Sequence, residues 1–230
     1  MLFKSHLLSQ ASGSVAGNVF SRNQGGMYIR ARTLPVNPNT EAQQAVRSAM
    51  AQCVVWWQTL LTQAERDNWN TYAFNTPTLN KLGESTHKTG QQMFLRGNIP
   101  RIQAGLEPVT NGPPIFNVGD FTPPTNVVAD ASASTISISW GTGDEWASEN
   151  GSVMLIYQSR PQAPTRNFGK GPYQLLTFIA GTLGVPGVSP KVATSLFPMA
   201  VGQRIFLRVT VSRADGRLSG AATSSWLVTP

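Results

Sequence analysis

Thr135-Ile-Ser-Ile-Ser-Trp140 decides the fold of the second half of this chain. Apolar and small polar side chains alternate without a break, the period-two signature of a β-strand with one covered face. The signature recurs downstream. Ser152-Val-Met-Leu-Ile-Tyr157 is more continuously apolar, and Arg204-Ile-Phe-Leu-Arg-Val-Thr-Val211 alternates again. Ala214-Asp-Gly216 then separates that strand from Leu218 to Val228, which predicts a hairpin. Short strands at this spacing predict an antiparallel β-sandwich over 123–230, with Trp140 as its structural anchor.

Upstream of the strands the pattern changes. Residues 108–124 hold five of the sixteen prolines: Pro108, Pro113, Pro114, Pro123 and Pro124. Such a stretch reads as a semi-rigid linker, assigned to 108–122, between two halves expected to fold separately. Residues 40–107 read as a helical domain. Thr40-Glu-Ala-Gln43, Thr62-Gln-Ala-Glu65 and Thr89-Gly-Gln-Gln92 are three capping-box starts. After the first, apolar residues recur at Ala42, Ala45, Val46, Ala49, Met50, Cys53, Val54, Trp57, Leu60 and Leu61, which is helical spacing. With almost no loop before the second start, the first two helices predict an αα-hairpin that packs Trp57 and Leu60 near Trp69. The third carries Met93, Phe94, Ile99 and Ile102, with Pro100 expected to kink or interrupt it and Gly105 to cap it.

Residues 1–39 are different again. They contain Lys4, Arg22, Arg30 and Arg32, no acidic residue, four glycines and few large apolar side chains. An extended basic arm is expected, with a hairpin turning at Asn23-Gln24-Gly25-Gly26. A lone hairpin is marginal in water, so the arm needs something to lie against. Phe20, Arg22, Tyr28, Arg30 and Arg32 are its candidate partner-binding residues. The whole is an α+β multidomain chain: arm, small helical domain, C-terminal sandwich.

Composition narrows the function. Of 230 residues 40% are hydrophobic, enough for a buried core, but only 13% are charged, against about 25% in an ordinary soluble domain. Either partners cover much of the surface, or the chain is simply a β-rich domain full of Ser, Thr, Asn and Gly. One cysteine excludes an intramolecular disulfide and multi-cysteine zinc or iron–sulfur sites. No run approaches eighteen apolar residues, and Met1 to Leu8 lack a signal-peptide apolar region, so a soluble, non-secreted, membrane-free protein is expected.

No catalytic constellation is legible. His6 in the arm and His87 in a Ser/Thr-rich loop each lack a nearby nucleophile and carboxylate. Cys53 lies on an apolar stripe, where burial makes a thiol inert. Asp144, Glu145 and Glu149 cluster without EF-hand spacing and read as a charged loop at the end of the sandwich. Gly169-Lys-Gly171 lacks the remainder of a phosphate-binding motif. No enzyme, cofactor or metal is expected. The net charge of +7 admits nucleic acid, yet the second helix offers only Arg66 between Glu65 and Asp67, and three arm arginines support weak, salt-sensitive phosphate binding at most.

Two resemblances add to this. Pro123-Pro-Thr-Asn-Val127, Ile136-Ser-Ile-Ser-Trp140, Leu207-Arg-Val-Thr-Val211, Ala214-Asp-Gly216, Ser219 and Val228-Thr-Pro230 resemble a fibronectin type III domain. The chain departs from that family at Ile205-Phe206, where a tyrosine is usual, and in a long insert from Tyr157 to Ser195 rich in proline and glycine. This resemblance implies an interaction module without chemistry of its own.

The N-terminal half resembles a family of mostly uncharacterised phage and prophage virion proteins. The match is carried by Val19-Phe-Ser-Arg-Asn-Gln-Gly-Gly-Met-Tyr28, Arg30-Ala-Arg-Thr-Leu-Pro-Val-Asn-Pro-Asn-Thr40, Gln44-Ala-Val-Arg47, Trp57 and Leu60-Leu-Thr-Gln-Ala-Glu-Arg66-Asp-Asn-Trp69. It continues through Lys81-Leu-Gly83, Thr89-Gly-Gln-Gln-Met-Phe94, Asn98 and Ala104-Gly-Leu106. The implied protein is a structural component of a bacteriophage virion, bound to other virion proteins and to copies of itself. A head-associated cement or decoration role is the first expectation and a neck or tail component the alternative. A DNA-associated basic protein of the particle is the rival of another class.

Overall fold

Three threonines open the three helices of the computed structural model, which describes residues 11–80, 82–169, 171–184 and 187–230. Lys4, His6, Lys81, Lys170 and Pro186 lie outside the described residues. Helix α1 spans Glu41–Thr59, α2 Gln63–Asn75 and α3 Gly90–Gln103. Thr62 and Thr89 complete capping boxes: each hydroxyl accepts from the N–H three residues on, and the Glu65 or Gln92 side chain accepts from the threonine N–H. At Thr40 only half the box forms, because Gln43 donates its N–H to the hydroxyl while its Oε1 is buried without a partner.

The interruption expected at Pro100 does not occur; α3 runs through it to Gln103. So close to the helix end, the missing donor costs a single bond. A Schellman motif then closes the helix, with Gly105 at φ +73° and the Leu106 N–H donating to the Arg101 carbonyl at 2.9 Å.

Helices α1 and α2 do not form the expected self-packed pair; each packs against α3. Phe94 sits at their meeting point, with the Trp69 ring edge-on at 5.6 Å and Trp57 tilted at 5.5 Å. Trp69 is fully buried, whereas Trp57 is half-buried. Leu60, expected near Trp69, is 51% exposed, and Leu61 is buried instead. The reason is local: α1 ends at Thr59, so the turn into Thr62 shifts the inward position by one residue.

The arm is a three-stranded antiparallel sheet of β1 (Gly13–Val15), β2 (Asn18–Asn23) and β3 (Gly26–Ala31), in that order, with Gln24-Gly25 as the second turn. A small ribbon of β4 (Thr78–Leu79) and β5 (Ser85–Thr86) bridges α2 and α3. The C-terminal half forms β6 (Asn126–Asp130), β7 (Thr135–Ser139), β8 (Val153–Ser159), β9 (Tyr173–Ala180), β10 (Lys191–Thr194), β11 (Arg204–Ser212) and β12 (Ala222–Thr229). They make one seven-stranded sheet in the order β10-β7-β6-β12-β11-β8-β9. All its pairings are antiparallel except β12 with β6, which pair in parallel at Val228 and Ala129. Strands β9 and β10 occupy the Pro- and Gly-rich insert, where alternation is too weak to announce them. The sheet wraps one core, to which β6, β7, β8, β9, β11 and β12 all contribute. Trp140, 5% exposed, packs there against Trp146 at 5.2 Å.

The segment between the halves is not a bare spacer. Trp69 Nε1 donates to the Thr110 carbonyl at 2.8 Å, Tyr72 Oη to Asn117 at 3.0 Å, and Asn98 brackets Val109 through its N–H and carbonyl. Arg217, from the β11–β12 loop, reaches the Asn117 side chain from the other side. Beside it, Ala104 and Leu106 pack on Val153, Leu155, Tyr157 and Leu175 of the sheet. Arg101 closes the joint. Its guanidinium donates to the carbonyls of Glu107 (3.1 Å), Gly151 (2.8 Å) and Arg213 (3.0 Å), spanning helix end and sheet loops. The two halves are thus joined by a packed, hydrogen-bonded interface.

Candidate docking surface

Pairing in the arm sorts its candidate residues onto two faces. Phe20 lies opposite Ile29 and Arg22 opposite Met27, so these four share one face. Tyr28, Arg30 and, one step past the strand, Arg32 occupy the other, with Ser21 and Val19 across from them. The five residues singled out from the sequence are therefore not a single patch: Phe20 and Arg22 form part of a mixed apolar face, and Tyr28, Arg30 and Arg32 a basic one. Among the described residues 11–40 none is buried. Arg22, Arg30 and Arg32 are exposed, and their guanidinium groups have neither a hydrogen bond nor an ion pair among the described residues.

The arm touches the rest of the chain at its tip. Gln24 Nε2 donates to the His87 carbonyl at 2.6 Å, and Asn80 Nδ2 to Gly25 at 3.4 Å. At the other end Arg47 of α1 holds Asn37 and Asn39 by hydrogen bonds to their side chains. Leu34 and Val36 between them are 93% and 88% exposed. The apolar stripe of α1 is likewise bare over its first turns, where Val46 and Met50 are about half exposed. This N-terminal quarter has the form of a docking element: shaped by its own hydrogen bonds, lightly tethered, and uncovered.

The opposite charge collects elsewhere. A cleft of about 550 Å³ opens at one end of the seven-stranded sheet, between residues 117–122, the β7–β8 loop and the β11–β12 loop. Asp120, Asp144 and Glu145 line it with Arg213 and Arg217. Asp144 is engaged, accepting from the Thr122 N–H and hydroxyl and from Trp146 Nε1. Arg213 pairs with Glu145 and Glu149, and Arg217 with Asp215. Neighbouring carboxylates raise the Arg213 pKa despite its burial, through side-chain bonds to Glu149 first and Glu145 second. Both arginines are consumed within the cluster, so the carboxylates of Asp120 and Glu145 face solvent. The sequence announced the acidic residues but not their company: the arginines come from seventy residues downstream in the chain, and only the strand pairing brings them together.

The remaining candidates are chemically quiet. Cys53 is fully buried, and burial pushes its thiol pKa up to about 11. His87 stacks on Phe74 at 5.3 Å on an exposed surface, away from any carboxylate–nucleophile pair. Among the described residues no group of three His, Cys, Asp or Glu side chains is arranged to hold a metal ion. No described helix is long and apolar enough to cross a membrane. Trp57, Trp69 and Trp140 are packing residues on their own sides of the joint.

Sequence reasoning missed Arg101, which carries the joint. The signal existed: Phe94, Gly97, Asn98 and Arg101 recur at helical spacing, and all four are buried. Reading only apolar residues points instead to Ile99 and Ile102, which are partly buried. No protein family matches this chain, and no curated protein aligns with it significantly.

Proposed function

We propose that this chain is a non-enzymatic structural protein of a bacteriophage particle, a head-associated cement or decoration protein anchored through its N-terminal arm and helices. The observation that carries the reading is the arm: a three-stranded sheet without a buried residue among those described, bearing three arginines with unpartnered guanidinium groups and no acid. A sheet of this kind gains stability only when a second surface covers it. The N-terminal resemblance to virion proteins supports the setting. The low charged fraction of 13% suits a protein whose surface is largely covered in an assembly.

The C-terminal half is, in this reading, a fibronectin type III-like sandwich. Seven strands in the single order β10-β7-β6-β12-β11-β8-β9, wrapped around one core holding Trp140, support it. Such a module supplies a rigid body and loops for recognition rather than catalysis. A neck or tail station is the alternative within the same class.

The direct test removes residues 1–39 and asks whether the remainder still loads onto particles. The shortened protein is expected to stay folded and to be absent from purified particles; loading at wild-type stoichiometry would refute the arm as anchor. The rival of another class, a DNA-associated protein, is tested by titrating DNA at about 150 mM salt. Three arginines predict dissociation constants no tighter than roughly 10⁻⁴–10⁻⁶ M, and nanomolar binding would promote the rival.

A further inference from the structure

We infer that the basic face of the arm docks into the acidic end of the sheet on a second copy of this chain, so that copies join head to tail. The inference rests on the arm being a docking element and names its partner. Three observations carry it. First, Tyr28, Arg30 and Arg32 project from one face of the arm, and neither guanidinium has a hydrogen bond or an ion pair among the described residues. Second, the acid of the chain is concentrated: Asp120, Asp144, Glu145, Glu149 and Asp215, five of its eleven Asp and Glu residues, line or adjoin one cleft against Arg213 and Arg217, which are already paired, and Arg101, which is buried on main-chain carbonyls. A protein of net charge +7 therefore carries a locally negative end, while residues 1–39 carry +4 with no acid. Third, each patch has exposed apolar side chains close by in the chain. Leu34 and Val36 stand bare just after the arginines, and Leu183, whose N–H is held by Asn150 of the β7–β8 loop, is 71% exposed.

The arm does not satisfy this end within its own chain. Its described contacts run to Asn80 and His87 near the helices, and none reaches Asp120, Asp144 or Glu145. Two complementary patches on different parts of one molecule make a heterologous contact, which propagates into a ring or a filament instead of closing as a two-fold dimer. Guanidinium groups fit the task, since each presents a planar fork that can grip a carboxylate in bidentate fashion. The cleft, at about 550 Å³ and open to solvent, has room for such side chains.

Charge-swap complementation tests the idea on the full-length chain by sedimentation velocity. Wild-type protein is expected to associate at about 50 mM salt and to dissociate at about 500 mM, where the Debye length falls to a few ångströms. Arg30→Glu with Arg32→Glu, and separately Asp120→Lys with Glu145→Lys, should each weaken association by about tenfold or more. All four side chains are exposed and only Glu145 is paired, with Arg213 at the surface, where such a pair contributes little. The arm variant should therefore melt with the wild type and the acidic-end variant within a few degrees of it. Mixing the two variants should restore association in one-to-one complexes. A wild type that remains monomeric at low salt, reversals that leave association intact, or a mixture that fails to recover would each overturn the inference. The two readings separate cleanly. An arm-deleted chain lost from particles, with a wild type that never self-associates, refutes this contact and leaves the anchoring reading standing. Self-association through the swapped charges, with normal loading of the arm-deleted chain, does the reverse.

Discussion

Arg101→Met offers the sharpest probe of the joint between helices and sheet. Methionine keeps most of the side chain's length and removes the guanidinium. Arg101 is 5% exposed and donates to three main-chain carbonyls at 2.8 to 3.1 Å, with Ser212 Oγ at 3.5 Å as a weaker fourth contact. Hydrogen bonds from a charged donor contribute about 1.5–3 kcal/mol each. Three would sum to roughly 4.5–9 kcal/mol before the cost of keeping the charge out of water is set against them. That cost is real here: burial lowers the Arg101 pKa, partly offset by the fields of Asp215 and Glu149. A net loss of about 3–5 kcal/mol is expected, the range seen when one partner of a buried charged contact is removed. At about 2–4 °C per kcal/mol for a chain of this size, the midpoint should fall by roughly 6–20 °C. Arg101→Lys should recover little of it, because an ammonium cannot fan out to carbonyls of three separate loops. Calorimetry reads the result. Wild type should unfold in one transition, with helices and sheet melting together, and Trp69→Ala or Trp140→Ala should lower that same transition. A variant melting within about 2 °C of wild type, or a wild type with two independent transitions, would refute the reasoning and restore the semi-rigid linker between separately folding halves that the proline-rich stretch suggests.

Gly97→Ala should destabilise the protein by about 1–3 kcal/mol, although alanine ordinarily favours a helix. A Cβ at this position would stand 2.5 Å from the Gly216 carbonyl across the joint. A gain in chemical-denaturation midpoint would contradict that contact. Cys53 should resist alkylation in the native state and react on unfolding; rapid native labelling at pH 8 would count against its burial. Its folded pKa of about 11 lies above the ordinary value of 9.0, so its contribution to stability is complete below pH 9 and lost as pH rises to about 11. Cys53→Ser should flatten that loss in alkaline melts. Thr62→Ala removes a hydroxyl that accepts from the Glu65 N–H and donates to the Glu65 carboxylate, and should cost about 1 kcal/mol, whereas Thr40→Ala, whose hydroxyl only accepts from the Gln43 N–H at 3.4 Å, should cost less. Equal losses in urea titrations would show that the hydroxyl–carboxylate bond contributes nothing.

What could be read from the sequence follows from the range of the interactions involved. Helix starts at Thr62 and Thr89 depend on residues three apart, and the arm hairpin on a two-residue turn, so both are written locally. The alternation in 135–139 reports one buried face and is legible for the same reason, whereas 204–212 is covered on both faces and is legible from its density of apolar residues. Strands β9 and β10 were not. In β9 most residues are only partly covered, and in β10 most are exposed, so neither acquires a strict period. The arm was readable as basic and coreless, but its division into a Phe20–Arg22 face and a Tyr28–Arg30 face needed the register.

The joint was illegible for a more instructive reason. A proline-rich stretch lacks helical or strand periodicity whether it floats or lies pinned between two bodies. Its partners here are side chains far away in sequence: Trp69 and Asn98 from the helices, Arg217 from the sheet, each satisfying a polar atom of residues 109–117. Prolines suit a pinned segment as well as a free one, since a residue without an N–H leaves one fewer donor to satisfy when buried. The same logic explains Arg101. A charged residue near a helix C-terminus reads as solvated, yet its five donors match the bare carbonyls that loops present at the end of a sheet. Polar residues build this interface, so hydrophobic pattern, the main instrument of sequence reading, passes over it. The consequence reaches function: with α3 packed on β8 and hydrogen-bonded to the sheet loops, helices and acidic cleft are joined, and the arm, tied among the described residues at its tip and its far end, is the element left to find a partner.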